Sequence, residues 1–152
     1  TMGRPVDLGA VDGRAVVFVY PRTGTPGQPP LVPDWNLIPG ARGCTPQTCG
    51  FRDLATDFKK LGVQIFGLST QEPAYQREMA ERLHLPFPVL SDSNLQLTEA
   101  LSLPTLTVAG HVLLARIAWV QQNGVIEHVF YPVFPPDGNA AFVIDWLKAH
   151  PA

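Results

Sequence analysis

The stretch CTPQTCGFRDLATDFKKLGVQIFGL, residues 44–68, carries two periodicities in succession. Residues 44–61 have helical spacing: Phe51, Leu54, Phe58 and Leu61 recur every three or four residues and form one apolar face. Pro46 suits a first helical turn, where the missing N–H costs nothing, and Gly62 suits a helix stop. Residues 63–68 (VQIFGL) then read as a buried strand. Upstream, residues 15–20 (AVVFVY) are a continuous apolar, β-branched and aromatic run, a second buried strand ended by Pro21. Between them, residues 21–43 carry Pro21, Pro26, Pro29, Pro30, Pro33 and Pro39, so little regular structure is expected there. Trp35, Leu37 and Ile38 give this long loop apolar surface with which to pack down.

Working towards the C-terminus, residues 73–83 read as an amphipathic helix and residues 86–90 as a short strand. Residues 94–101 read as a short helix capped by Asp92 or Ser93. Residues 115–121 and 125–130 flank Asn123-Gly124, a hairpin signal. Residues 138–150 form a last amphipathic helix. Alternation of strand and helix predicts one α/β domain over residues 1–152, with helices on both faces of a mixed sheet and a Pro/Gly-rich loop at about 28–43.

Composition narrows the function classes. With 45% hydrophobic and 16% charged residues, the chain is a globular type. A net charge of −2 leaves no electrostatic footprint for nucleic acid, and no basic run suggests a membrane surface. Residues 1–15 lack the charged start and apolar stretch of a signal peptide, so a cytoplasmic location is expected.

Two cysteines are too few for a disulfide scaffold, and a close pair in such a chain is more often catalytic or metal-binding. Cys44 and Cys49 are spaced C-x-x-x-x-C, and Cys44 falls at the helix start, where free N–H groups and the macrodipole favour a thiolate. Arg22 and Arg42 in the flanking loop could add positive potential. Five helical residues correspond to about 7.5 Å of rise and about 140° of rotation, whereas a disulfide wants α-carbons about 5.5–6 Å apart. A Cys44–Cys49 bond therefore requires the first turns to unwind. Cys49 alone could equally be an inert core residue. A zinc site would need further ligands, and His84, His111, His128 and His150 have no ligand spacing with the pair, so no metal is expected.

Tyr20-Pro21-Arg22-Thr23-Gly24-Thr25-Pro26-Gly27, followed by Cys44-Thr45-Pro46-Gln47-Thr48-Cys49-Gly50-Phe51-Arg52-Asp53, resembles the peroxiredoxins of the Q-type, or bacterioferritin comigratory protein, subgroup. That pattern reads Y-P-x-x-x-T-P-G-C-T-x-x-x-C-x-F-R-D, and the likeness continues through Gly62-Val63, Gly67-Leu68-Ser69 and residues 87–92 (FPVLSD). The resemblance implies a thioredoxin-like fold and a thiol-dependent peroxidase. Cys44 would attack hydrogen peroxide or an organic hydroperoxide and become a sulfenic acid. Cys49 would resolve it as an intramolecular disulfide, and a thioredoxin-like donor would reduce that bond. The Thr25 hydroxyl would orient the peroxide, Pro21 would shield the site, and Arg116 would lower the thiol pKa and stabilise the transition state. No cofactor is implied, and a monomer or weak dimer is expected.

The chain departs from the pattern at one place. In the family Thr-Pro-Gly runs directly into the cysteine; here residues 28–43 intervene. Either the insertion loops out and Thr25 reaches Cys44, which loop entropy allows, or the second Pro-Gly, at Pro39-Gly40, takes over the active-site loop. Two other functions fit the same residues. One is a redox sensor with little turnover, its docking surface around Trp35. The other is a non-enzymatic thioredoxin-like binding domain whose site the insertion has closed, leaving Cys44 unactivated. Arg116, taken alone, also fits a surface arginine on an edge strand.

Overall fold

The computed structural model describes residues 3–152. A five-stranded sheet has the order β3-β2-β1-β6-β7, and a separate hairpin pairs β4 with β5. The strands are β1 (Arg14–Val19), β2 (Val63–Ser69), β3 (Val89–Ser91), β4 (Thr105–Val108), β5 (His111–Leu114), β6 (Ile117–Gln122) and β7 (Val125–Phe130). The helices are α1 (Cys44–Asp53), α2 (Ala55–Lys60), α3 (Pro73–Arg82), α4 (Gln96–Ala100) and α5 (Asn139–Ala149). β1 runs parallel to β2 and antiparallel to β6, so the sheet is mixed as expected.

Every residue of β1 is buried because it is the middle strand. Side chains alternate across a strand, and the two sets build two cores. Val16, Phe18 and Tyr20 pack with Phe51 of α1, Phe58 of α2, Met79 of α3 and Val143 of α5. Ala15, Val17 and Val19 face the other way, against Leu68, Leu114 and Trp119, with Leu97 of α4 over them. Phe18 stacks on Phe51 with ring centroids 4.3 Å apart, which pins the helix behind Cys44 to the central strand.

Four expectations need adjusting. The helix over 44–61 divides at Leu54 (φ −100°); the ladder nonetheless carries through, with Leu54 N–H bonding Gly50 O and Phe58 N–H bonding Leu54 O. The strand placed at 86–90 pairs only from Val89, because Pro86 and Pro88 have no N–H to donate. The short helix near 94–101 starts at Gln96, and Asp92 caps it from a distance by accepting the N–H groups of Leu97 (3.0 Å) and Thr98 (2.8 Å). The β4–β5 hairpin was not anticipated: its turn is Ala109-Gly110 (φ 50° and 79°), without the Asn or Asp that signals such turns.

The Asn123-Gly124 turn is present, with φ of 49° and 80°. It docks on the N-terminal segment: Asn123 Oδ1 accepts Gly13 N–H at 2.8 Å, and a Cβ on Gly124 would overlap the Gly9 carbonyl. Gly124→Ala combines a positive φ with a backbone clash, so it is expected to destabilise the fold by about 2 kcal/mol or more. A thermal melt checks this; an unchanged midpoint would show that the turn is not seated against Gly9.

Candidate active site

Cys44 is the first residue of α1 and is 4% exposed. Gly43 before it takes φ 103°, and a Cβ there would lie 2.5 Å from Pro136 Cγ. Only glycine passes the chain between Pro136 and the helix start. The Cys44 sulfur is surrounded by polar groups from three segments. Its S–H donates to Ala41 O at 3.5 Å. Arg116 Nη2 donates to it at 3.3 Å. The backbone N–H of Arg22, just after β1, also bonds to it.

Arg116 comes from the junction between β5 and β6 and is 4% exposed, which excludes the surface-arginine reading. Its Nη2 reaches Gly40 O (3.2 Å), Ala41 O (3.3 Å) and Arg42 O (2.9 Å) as well as the sulfur. Its Nη1 donates to Gln47 Oε1 at 2.6 Å. Gln47, one helical turn after Cys44 and fully buried, passes the chain on by donating Nε2–H to Asn139 Oδ1 at 3.0 Å. Sequence reading assigned no role to Gln47, Asn139 or Ala41. The spacing of Gln47 from Cys44, three residues on one helix face, was the available signal.

Burial pushes the Cys44 thiol above its ordinary value; Arg116, through its charge and its hydrogen bond, and the Arg22 N–H pull it down without cancelling the burial. The positive potential comes from Arg116. The Arg22 guanidinium lies instead over the Tyr75 ring at 5.3 Å, and Arg42 is exposed.

Thr25 is half-buried in the loop after β1. Its carbonyl accepts Gln28 N–H in a turn (3.0 Å), and it lines a cleft of about 440 Å³ with Arg22, Trp35 and Tyr75. The loop beside the sulfur is the later one. Pro39-Gly40 leads to Ala41, which stands three residues before Cys44, where the T-P-G-C pattern has its threonine. The inserted segment thus supplies carbonyls where a hydroxyl was expected. It is not wholly irregular, since residues Trp35–Leu37 make a 3-10 turn. Pro21 is buried next to the Arg22 N–H donor. A second cleft, about 640 Å³, runs between residues 36–40 and 133–137, with Arg116 in its wall.

Cys49 is half-buried, one side of an intact helix. Both thiols are free. Thr48 Oγ1 donates to Cys44 O at 2.8 Å, which adds to the helical bonds that an oxidised pair would have to break. Among the described residues no group of three or more metal-ligating side chains converges, and no helix is long and apolar enough to cross a membrane.

Comparison with known proteins agrees with this architecture. The model of the family described as Redoxin matches residues 1–144. Peroxiredoxin Bcp of Escherichia coli strain K12 is 33% identical over 156 residues, covering 97% of this chain and 87% of the relative. The chloroplastic peroxiredoxin Q of japonica rice is 30% identical, with 97% of this chain and 60% of that protein covered. Among solved structures, peroxidoxin BcpB of Mycobacterium tuberculosis superposes with a TM-score of 0.74 at 25% identity, over 95% of this chain and 84% of that one. The bacterioferritin comigratory protein of Xanthomonas campestris gives a TM-score of 0.76 at 23% identity, over 97% and 86%, a match of thioredoxin-like fold. With the sheet order, the helix-start cysteine and the sequence all pointing the same way, the chain belongs to the Redoxin family.

Proposed function

We propose that the chain is a thiol-dependent peroxidase with Cys44 as its nucleophile. The observation that carries this reading is the Arg116 guanidinium 3.3 Å from the Cys44 sulfur at a helix start. The sulfur attacks the terminal oxygen of a hydroperoxide, the O–O bond breaks, and Cys44 becomes a sulfenic acid. The departing alkoxide takes up the thiol proton and leaves as an alcohol, or as water from hydrogen peroxide. Arg116 and the Arg22 N–H meet the negative charge that spreads over sulfur and oxygens in the transition state. Cys49 then attacks the Cys44 sulfur, releasing water and forming a disulfide. A thioredoxin-like dithiol returns two electrons and two protons by exchange. A reducing compartment, the cytoplasm, suits a cycle that starts from two free thiols. The working unit is a monomer or weak dimer.

Single-turnover oxidation of the reduced protein tests this. One equivalent of peroxide should remove both thiols from the wild type and leave a dimedone-reactive sulfenic acid in Cys49→Ser. No loss of the two thiols from the wild type and no sulfenic acid in Cys49→Ser would end the proposal. The helix geometry adds a second expectation: amide exchange over residues 44–50 rises on oxidation, because the bond cannot close across an intact turn. Unchanged protection with the bond formed would contradict that coupling.

One observation favours the sensor reading, namely the burial of Cys44. A sensor would be oxidised once by peroxide and then fail to turn over with any dithiol donor. Consumption of many equivalents of peroxide per chain in the presence of a dithiol donor would exclude a sensor.

A further inference from the structure

Gln47 and Asn139 are both buried, at 0% and 3% exposure, and both lie beyond the sulfur's own contacts. An amide side chain has an oxygen end and an NH2 end of nearly the same shape, so something must decide which end faces which neighbour. Arg116 is all donor: a guanidinium has five N–H groups and no acceptor. Only the oxygen end of Gln47 can meet Arg116 Nη1, at the observed 2.6 Å. The opposite orientation would set two donors against each other in a place buried from solvent. With oxygen towards Arg116, the NH2 of Gln47 points to Asn139, which accepts it through Oδ1 at 3.0 Å.

Asn139 is the first residue of α5, and its position relative to α1 is tightly set. The turn Pro136–Gly138 ahead of it packs on α1: Pro136 closes over Gly43, and the Asp137 carbonyl lies 3.4 Å from where a Cβ on Gly50 would sit. The acceptor therefore comes from a remote part of the chain that the fold brings rigidly to the back of the site.

We propose that Asn139 is a positioning residue, whose side-chain oxygen accepts the buried NH2 end of Gln47 and so lets Gln47 hold Arg116 Nη1 while Nη2 rests on the Cys44 sulfur. This inference rests on the assignment of Cys44 as the nucleophile. Nη2 has three loop carbonyls to hold it; the other arm depends on Gln47. Losing that oxygen strands the buried Gln47 NH2, so the amide is no longer held where it meets Arg116 and the guanidinium loses the support of one arm. The charge of Arg116 would then do less for the thiolate.

A double-mutant cycle separates this role from a merely structural one. Asn139→Leu removes the acceptor and keeps the bulk. Gln47→Glu replaces the amide by a carboxylate, which offers oxygen at both ends and needs no orientation. The readout is the pH dependence of Cys44 alkylation in a Cys49→Ser background, with the rate of reaction with hydrogen peroxide beside it. In the Gln47 background, Asn139→Leu is expected to raise the alkylation midpoint by about one pH unit and slow the peroxide reaction roughly tenfold near neutrality. In the Gln47→Glu background, the same substitution should change both by less than about twofold. Equal losses in the two backgrounds, or no loss in the first, would overturn the proposal. Asn139→Ala serves in the same cycle if the leucine variant does not fold. The alkylation profile reports on the arrangement around Cys44 even if the wild type consumes no peroxide, so a failure of the peroxidase reading is told apart from a failure of this one.

Discussion

Cys44→Ser is expected to abolish peroxide consumption, with a loss of more than about a thousandfold in a stopped-flow assay of the reduced protein. The exchange changes one atom in a packed site. Serine fits the space, and its hydroxyl can still donate to the Ala41 carbonyl that Cys44 contacts now. The chemistry is what disappears. A hydroxyl holds its proton far more tightly than a thiol, and its oxygen is a poor nucleophile towards a peroxide oxygen. It also has no counterpart to the sulfenic acid that Cys49 must attack. Because the fold should be unaffected, circular dichroism and the melting midpoint serve as controls. Peroxide consumption by Cys44→Ser at the wild-type rate, with those controls unchanged, would falsify the assignment of the nucleophile.

Arg116→Met should be the next most damaging change, lowering the rate near neutral pH by about a hundredfold or more. Methionine keeps much of the length and apolar stem and removes the charge. The pH behaviour gives the sign. Burial already holds the Cys44 thiol above its ordinary value, and Arg116 is the largest influence pulling it down. Without Arg116 the burial is opposed less, so the midpoint of thiolate formation moves up. The rate at a given neutral pH falls and recovers in part as pH is raised. In the wild type the rate should also climb with pH up to the thiol midpoint. Arg116→Lys should recover only part of the loss, since one ammonium cannot hold Gln47, the loop carbonyls and the sulfur together. A midpoint that fails to rise in Arg116→Met would remove Arg116 from the electrostatics of the site.

The same contacts make Arg116 a structural residue. Its removal leaves the buried oxygen of Gln47 unpaired, at about 1–3 kcal/mol, and takes one donor from each of the carbonyls of Gly40, Ala41 and Arg42. The fold's own pH dependence follows from Cys44. Below the ordinary thiol range the folded and unfolded chains are both protonated there and no stability is lost. Above about pH 8.5 the unfolded chain gives up that proton while the folded one keeps it, so stability falls with rising pH until the folded thiol also ionises.

Local rules made much of this molecule legible. The helical spacing of Phe51 and Phe58, the run in 15–20 and the Asn123-Gly124 turn all lie within a few residues of the partners that define them. Their elements appear where pattern reading placed them. Cys44 at a helix start was legible for the same reason, since Pro46 and the apolar face mark that start. Elements governed by weaker local signals were misjudged: the β4–β5 hairpin has an uninformative turn, and the strand at Val89 begins late because prolines precede it.

The order of strands and helices, the helix-start cysteine with a partner five residues on, and the family likeness built on that spacing are all legible from residue pattern alone. The company Cys44 keeps is set by packing between distant segments. The Ala41 carbonyl stands beside the sulfur, and Arg116 is buried against it rather than lying at an edge. Gln47 and Asn139, ninety-two positions apart, join behind the site. These arrangements depend on where a long proline-rich loop closes and on how α5 packs against α1. Loop closure costs little more for a long insertion than for a short one, so chain adjacency places no tight limit on which residue reaches the thiol. The packing of distant elements sets it, and that packing comes into being only when both cores form.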